Sequence, residues 1–226
     1  MKKLYCGLIL FFISPPLFAD NIIDRIQQLE GSIVAIHTEL IKDLKAPNNP
    51  NKKSAIYTRN AAGIIIDPTG IIVTNTHTII NAPIIWVTLT NGSRYQASLL
   101  SARVDDDFSL IKIKPDQPLQ AVELANSNSA NLGEPIIAIG NSEFNQRTLL
   151  SGEIKTLLTN KQNGNVEFIA INLNLYRGDS GGPVFDRNGR LLGMVMAKLK
   201  TENASTFIIP ANKIREQYWH DKQNMP

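Results

Sequence analysis

Apolar and polar positions along this chain alternate over short stretches, in the manner of β-strands. Ala62-Gly-Ile-Ile-Ile-Asp67 and Ile71-Ile72-Val73-Thr74 flank Pro68-Thr69-Gly70, and apolar runs bounded by turn residues predict a hairpin. Ser32 to His37 predicts an earlier strand. Ile84–Thr90, Tyr95–Ala102 and Phe108–Ile113 predict three more, with Asn91-Gly92 turning between the first two. Past Pro115–Pro118 the pattern starts again. Strands are expected over Pro135–Ile139, Thr148–Ile154, Val166–Ile171, Pro183–Phe185, Leu191–Leu199 and Ser205–Ile209, with Asn188-Gly189 as another turn. Apolar residues at Ile22, Ile23, Ile26 and Leu29 have helical spacing, and Ala211 to Trp219 predicts a closing helix after Pro210. Lys45 to Lys53 is polar and carries Pro47 and Pro50, so it is expected as an exposed loop. Two successive sets of short strands imply an all-β fold of two barrels, over about 32–115 and about 119–209, with a helix over about 211–219. A cleft is expected at the seam between them.

The amino terminus departs from this pattern. Met1-Lys2-Lys3, an apolar run from Leu4 to Phe18 and then Ala19-Asp20 predict a signal peptide over residues 1–19, cleaved after Ala19. The run is short for a membrane span, and Pro15-Pro16 interrupts it, so no span is expected after removal of the signal. Residues 20–226 then form an exported, periplasmic or secreted, chain. The single cysteine, Cys6, leaves with the signal, so the exported chain relies on its core without disulfides. The formal charge of +3 falls to +1 once Lys2 and Lys3 are gone. That near-neutral balance gives no electrostatic case for nucleic acid or an anionic membrane as partner.

The densest chemistry lies in Asn174-Leu-Tyr-Arg-Gly-Asp-Ser-Gly-Gly-Pro-Val184. Gly178, Gly181 and Gly182 bracket Ser180, and glycines permit backbone turns that aim amide N–H groups at one point. A hydroxyl beside converging amides suits acyl transfer, with the amides of Gly178 and Ser180 as an oxyanion hole. A glycine-rich turn between strands is the plainer alternative, and a base and an acid must decide between them. Three histidines are present. His37 alternates with apolar neighbours and reads as structural, and His220 reads as a solvated residue after the closing helix. His77 follows Thr74-Asn75-Thr76, where a strand gives way to a turn and a side chain can point into a cleft. No ligand cluster for a metal and no organic cofactor is indicated.

The six-residue run GDSGGP resembles the nucleophile segment of trypsin-like serine endopeptidases. Gly63-Ile-Ile-Ile-Asp-Pro-Thr-Gly-Ile-Ile-Val-Thr-Asn-Thr-His77 resembles the histidine segment of the HtrA/Deg family, in which a hairpin of the form GxxIDPxGxxxTNxH carries the general base. Ala102-Arg-Val-Asp-Asp-Asp107-Phe-Ser-Leu-Ile-Lys-Ile113 is similar to that family's acid segment, which implies Asp107 as the acid and leaves Asp105 and Asp106 solvated or turn-forming. Further similar stretches are Gly133–Asn141, Thr148–Ile154, Gly189–Gly193 and Phe207–Lys213, so the resemblance spans roughly 25–218. It implies a chymotrypsin-like double β-barrel, a His77-Asp107-Ser180 triad, protein or peptide substrates and a role in protein quality control.

The fold also implies a substrate pocket with Asn174 at its base, and Leu175, Met194, Val195 and Met196 as its aliphatic wall. A neutral Asn174 argues against a basic side chain before the cleaved bond, since a buried cation without a counter-charge is costly. Two departures stand out. Asp179 precedes the serine where the family usually has asparagine; it is expected to take another partner, Arg177 being one candidate, or to stay solvated. The chain ends at Pro226 without the length for the PDZ domain common in the family. The stretch Thr38–Asn60 corresponds by resemblance to a regulatory loop over the active site. A peptide-binding or chaperone-like protein on the same fold, with hydrolysis silent, is the alternative; oligomeric state is left open.

Overall fold

A computed structural model describes residues 24, 28–44, 53–142, 146–173, 175, 178–198 and 206–224. The predicted signal peptide, most of the leading helix and the polar loop at 45–52 lie outside the described residues. What remains before the first strand closes in a 3-10 turn, Leu29–Ser32.

Among the described residues, twelve strands form two closed six-stranded barrels. The first contains β1 (Ile33–Leu44), β2 (Lys53–Asp67), β3 (Ile71–Thr74), β4 (Ile84–Thr88), β5 (Arg94–Arg103) and β6 (Phe108–Lys112). The second contains β7 (Pro135–Ser142), β8 (Gln146–Thr159), β9 (Val166–Ile171), β10 (Pro183–Phe185), β11 (Leu191–Lys198) and β12 (Thr206–Pro210), and a closing helix, Ala211–Gln223, follows. In the first barrel the order is β1-β2-β3-β6-β5-β4, with β4 returning to β1. The second repeats that order as β7-β8-β9-β12-β11-β10, closed by β10 on β7. The molecule is thus the all-β double barrel of the chymotrypsin type.

Strand periodicity explains why the hairpin strands are apolar throughout and not alternating. Successive side chains point to opposite faces of a strand. Ile65 and Ile72 fill the first barrel with Ile36, Val87 and Ile111. Ile64, Ile66, Ile71 and Val73 face the other way and pack with Phe108, Ile139, Phe185, Met194 and Ile209 between the barrels. Both faces are buried, so both must be apolar. Burying an isoleucine side chain contributes roughly 1.5–3 kcal/mol, and this shared layer makes the two barrels one body at the seam.

Two expectations are corrected. Thr38–Asn60 is not a loop over its described length. β1 and β2 pair from Ile33↔Ile64 out to Leu44↔Lys53, because backbone hydrogen bonds extend a ribbon whose side chains carry no alternating pattern. His220 does not follow the closing helix but lies within it. Among the described residues no helix is long and apolar enough to cross a membrane.

Candidate active site

His77, expected as the base, follows β3. After Thr74 the chain makes the short helical turn Thr76–Ile79, which carries His77. That turn is pinned from several sides. Thr76 Oγ1 lies 2.8 Å from Ser109 Oγ, Thr38 Oγ1 donates to the Thr78 carbonyl at 3.1 Å, and Arg59 Nη1 donates to the His77 carbonyl at 2.6 Å. The backbone is fixed while the imidazole, half-exposed at 51%, remains open to solvent.

Asp107 ends the turn between β5 and β6 with φ of 54°, a left-handed conformation that aspartate tolerates better than most residues. Its carboxylate meets His77 twice. Oδ1 accepts from the His77 backbone N–H at 2.9 Å, and Oδ2 lies 2.7 Å from the ring Nδ1. An ionised carboxylate only accepts, so Nδ1 carries the proton and a neutral ring leaves Nε2 as an acceptor. The Asp107 carbonyl in turn accepts from Thr76 N at 3.2 Å and Asn75 Nδ2 at 3.1 Å.

Ser180 comes from the second barrel, yet its backbone is joined to the first. Ala62 N donates to the Ser180 carbonyl at 2.9 Å, and Thr74 Oγ1 donates to the Ala62 carbonyl at 2.8 Å. Thr74 is the last residue of β3, three before His77. The Ser180 segment is therefore tied across the seam to Ala62, and Ala62 in turn to the strand that leads to His77. Gly181 makes the approach feasible. Its φ is 80°, and an added Cβ would lie 2.1 Å from the Ala62 carbonyl oxygen. Gly178 likewise has a positive φ of 106°.

The structure narrows the alternatives left open for the neighbouring acids. Asp179 is buried at 3% exposure, its carboxylate against Gly140, where a side chain would meet Oδ1 at 2.9 Å. It is not solvated; Arg177 lies outside the described residues. Asp106 lies in the turn before β6, as expected, but its carboxylate is paired. It accepts from Lys213 Nζ at 2.6 Å and from Arg103 Nη2 at 3.2 Å. Burial pushes the Asp106 carboxyl up, but hydrogen bonding and charge from Lys213, then Arg103, outweigh it and hold the group below the usual range. His37 is held at Nδ1, 2.8 Å from Asn60 Oδ1.

The residues expected to wall the substrate pocket separate. Met194 is fully buried between the barrels, and Leu175 and Val195 lie in the interior of the second barrel. Side chains withdrawn into the core present almost no surface to a ligand. Met196 alone of the four is partly exposed. Asn174 lies outside the described residues. Arg59 carried no signal in the sequence, because it acts on a backbone carbonyl, and Lys213, at the end of a stretch similar to the family, gave no sign that it reaches a distant turn. Among the described residues no cluster of His, Cys, Asp and Glu has the makings of a metal site.

Residues 61–194 match the family described as the trypsin-like peptidase domain. Over 195 residues the chain is 29% identical to mouse serine protease HTRA4, covering 83% of this chain and 39% of the relative. It is 33% identical over 160 residues to the periplasmic serine endoprotease DegP of Escherichia coli, covering 68% of this chain and 34% of that protein. The chain thus spans about two fifths or less of the length of these relatives. Its fold is shared with the HtrA-type protease AlgWS227A, solved with decapeptide, at a TM-score of 0.75 and 21% identity over 86% of this chain and 64% of the other.

Proposed function

The chain belongs to the trypsin-like peptidase domain family, and from that premise we propose that it is a serine endopeptidase that cleaves peptide bonds in proteins through Ser180, His77 and Asp107. The observation that carries this reading is the two-point grip of the Asp107 carboxylate on His77, at 2.9 and 2.7 Å, beside a serine segment tied to the same hairpin. Ser180 Oγ attacks the substrate carbonyl while its proton passes to His77 Nε2. Asp107 keeps Nδ1 protonated and stabilises the imidazolium that forms. The amides of Gly178 and Ser180 receive the oxyanion. His77 returns the proton to the departing amine, and water then cleaves the acyl-serine by the same steps in reverse order.

In this reading Asn174 lies at the base of the substrate pocket, as the resemblance implies, and Met196 is the partly exposed part of its wall, with Leu175, Met194 and Val195 supporting it from beneath. The pocket takes a neutral side chain. Residues 1–19 direct export, and the enzyme works in the periplasm or outside the cell, as expected from the amino-terminal pattern. Digestion of dye-labelled casein tests the whole reading. Hydrolysis by the purified protein that disappears in Ser180→Ala is expected, with cuts after aliphatic residues. Undiminished hydrolysis by Ser180→Ala overturns the nucleophile, and cuts clustering after Arg or Lys overturn the pocket.

A further inference from the structure

Asp107 adopts a backbone conformation that costs a non-glycine residue about 1–2 kcal/mol, so its turn must be held from outside. On one flank the Asp107 carbonyl is bonded to Asn75 and Thr76 of the first barrel. The other flank is held by the second barrel. Lys213, in the first turn of the closing helix, places Nζ 2.6 Å from Asp106 Oδ1 and 2.6 Å from Glu167 Oε2 on β9. The same ammonium lies 4.6 Å above the Phe168 ring. The Lys213 and Asp106 side chains are only 16% and 17% exposed. These contacts join residues 107 positions apart in the chain and bridge the seam right beside the acid.

We propose that Lys213 is a positioning residue: from the second barrel it anchors Asp106 and thereby sets where the Asp107 carboxylate meets His77. The proposal rests on the reading of Asp107 as the triad acid. One ammonium within 2.6 Å of both carboxylates brings them within about 5 Å of each other. Without the cation they repel, since like charges at that distance in a partly shielded site disfavour one another. Asp106 is the mobile partner, because it sits on a turn while Glu167 is fixed in a sheet. Its retreat rotates the adjacent Asp107, whose two oxygens must both reach His77. A displacement of about 1 Å at a catalytic group lowers rate roughly 10²-fold.

Two neutralising variants of the intact protein separate positioning from simple stapling. Asp106→Asn loosens the turn from Lys213, whereas Glu167→Gln leaves the Asp106–Lys213 bond and only weakens the anchor. The readouts are kcat and KM on dye-labelled casein and the far-downfield proton resonance of His77 Nδ1–H. Asp106→Asn is expected to lower kcat several-fold with KM within twofold, and to broaden or move the resonance upfield. Glu167→Gln keeps both near wild type. Lys213→Met is expected to lose about 10- to 100-fold in kcat, and Lys213→Arg to recover most of it, since a guanidinium can also bond two carboxylates. Equal behaviour of Asp106→Asn and Glu167→Gln, or an unchanged resonance in Lys213→Met, overturns the proposal. If the wild-type protein hydrolyses nothing, the peptidase reading fails, and the resonance still decides whether Lys213 positions Asp107.

Discussion

Replacing Gly181 with alanine perturbs the seam at its narrowest point. The added Cβ would stand 2.1 Å from the Ala62 carbonyl oxygen, 2.9 Å from the Ala62 carbonyl carbon and 3.3 Å from Thr74 Oγ1. Two of these neighbours are backbone atoms of a central strand and cannot rotate away. An ordinary contact begins near 3.4 Å, so the Ser180–Gly181 segment must withdraw from β2 by roughly 1 Å. That movement stretches the 2.9 Å bond from Ala62 N to the Ser180 carbonyl. The positive φ of 80° adds strain of its own. Strain of about 1–2 kcal/mol and a lost hydrogen bond of about 0.5–1.5 kcal/mol together destabilise the fold by roughly 2–3 kcal/mol. For a chain of this size that lowers Tm by about 5–10 °C. A nucleophile displaced by about 1 Å loses roughly 10²-fold in rate. The assay is the rate of fluorophosphonate labelling beside a thermal melt. Gly92→Ala is the control: its φ is 83° and an added Cβ meets nothing within 4 Å, so it carries strain without displacement. It should melt lower and label at the wild-type rate. Labelling of folded Gly181→Ala at the wild-type rate would refute the view that close approach at Gly181 sets the serine.

Two further outcomes follow from the same contacts. Asp107→Asn should lower kcat by about 10⁴-fold, the size of the corresponding change in the general triad, while Asp105→Asn stays within a few-fold; steady-state kinetics on casein checks both. Asp67 is held by Thr69, Tyr218 and Lys222, and although burial pushes its carboxyl up, these hydrogen bonds hold it well below the usual range. A carboxyl depressed in the folded state stabilises above its unfolded pKa, and that contribution is lost as pH falls through the folded value. Asp67→Asn should therefore cost about 1–3 kcal/mol near pH 7 and much less near pH 2, read as a narrowing gap between wild-type and variant melts. An equal gap at both pH values contradicts the assignment.

The hairpin at Gly63–Thr74 was legible in the sequence because two physical signals coincide there. Pro68 and Gly70 set the turn, and the flanking isoleucines are apolar on both faces because both faces are buried. Asp107 was singled out among three consecutive aspartates through the resemblance alone, and aspartate is among the residues that permit the left-handed backbone found there. The outer β1–β2 ribbon was not legible. Its residues pair through main-chain bonds without an alternating apolar pattern in the sequence, so composition reads as loop. The repeated strand order of the two barrels was also hidden, since topology can recur without any recurrence of sequence. The surroundings of Asp106 and Asp179 were hidden for a common reason. A carboxylate is exposed on average, and only the fold brings Lys213 to the one and buries the other beside Gly140. The same limit applies to Met194, whose strand position was correct but whose side chain faces the seam core.

The central claim is that His77, held by Asp107, activates Ser180. It is tested most directly by locating a fluorophosphonate adduct on the folded protein by mass spectrometry. The account predicts one adduct, on the peptide carrying Ser180, formed by the wild type and absent from His77→Ala under the same conditions. An adduct on another serine, or equal labelling of Ser180 in His77→Ala, would contradict it.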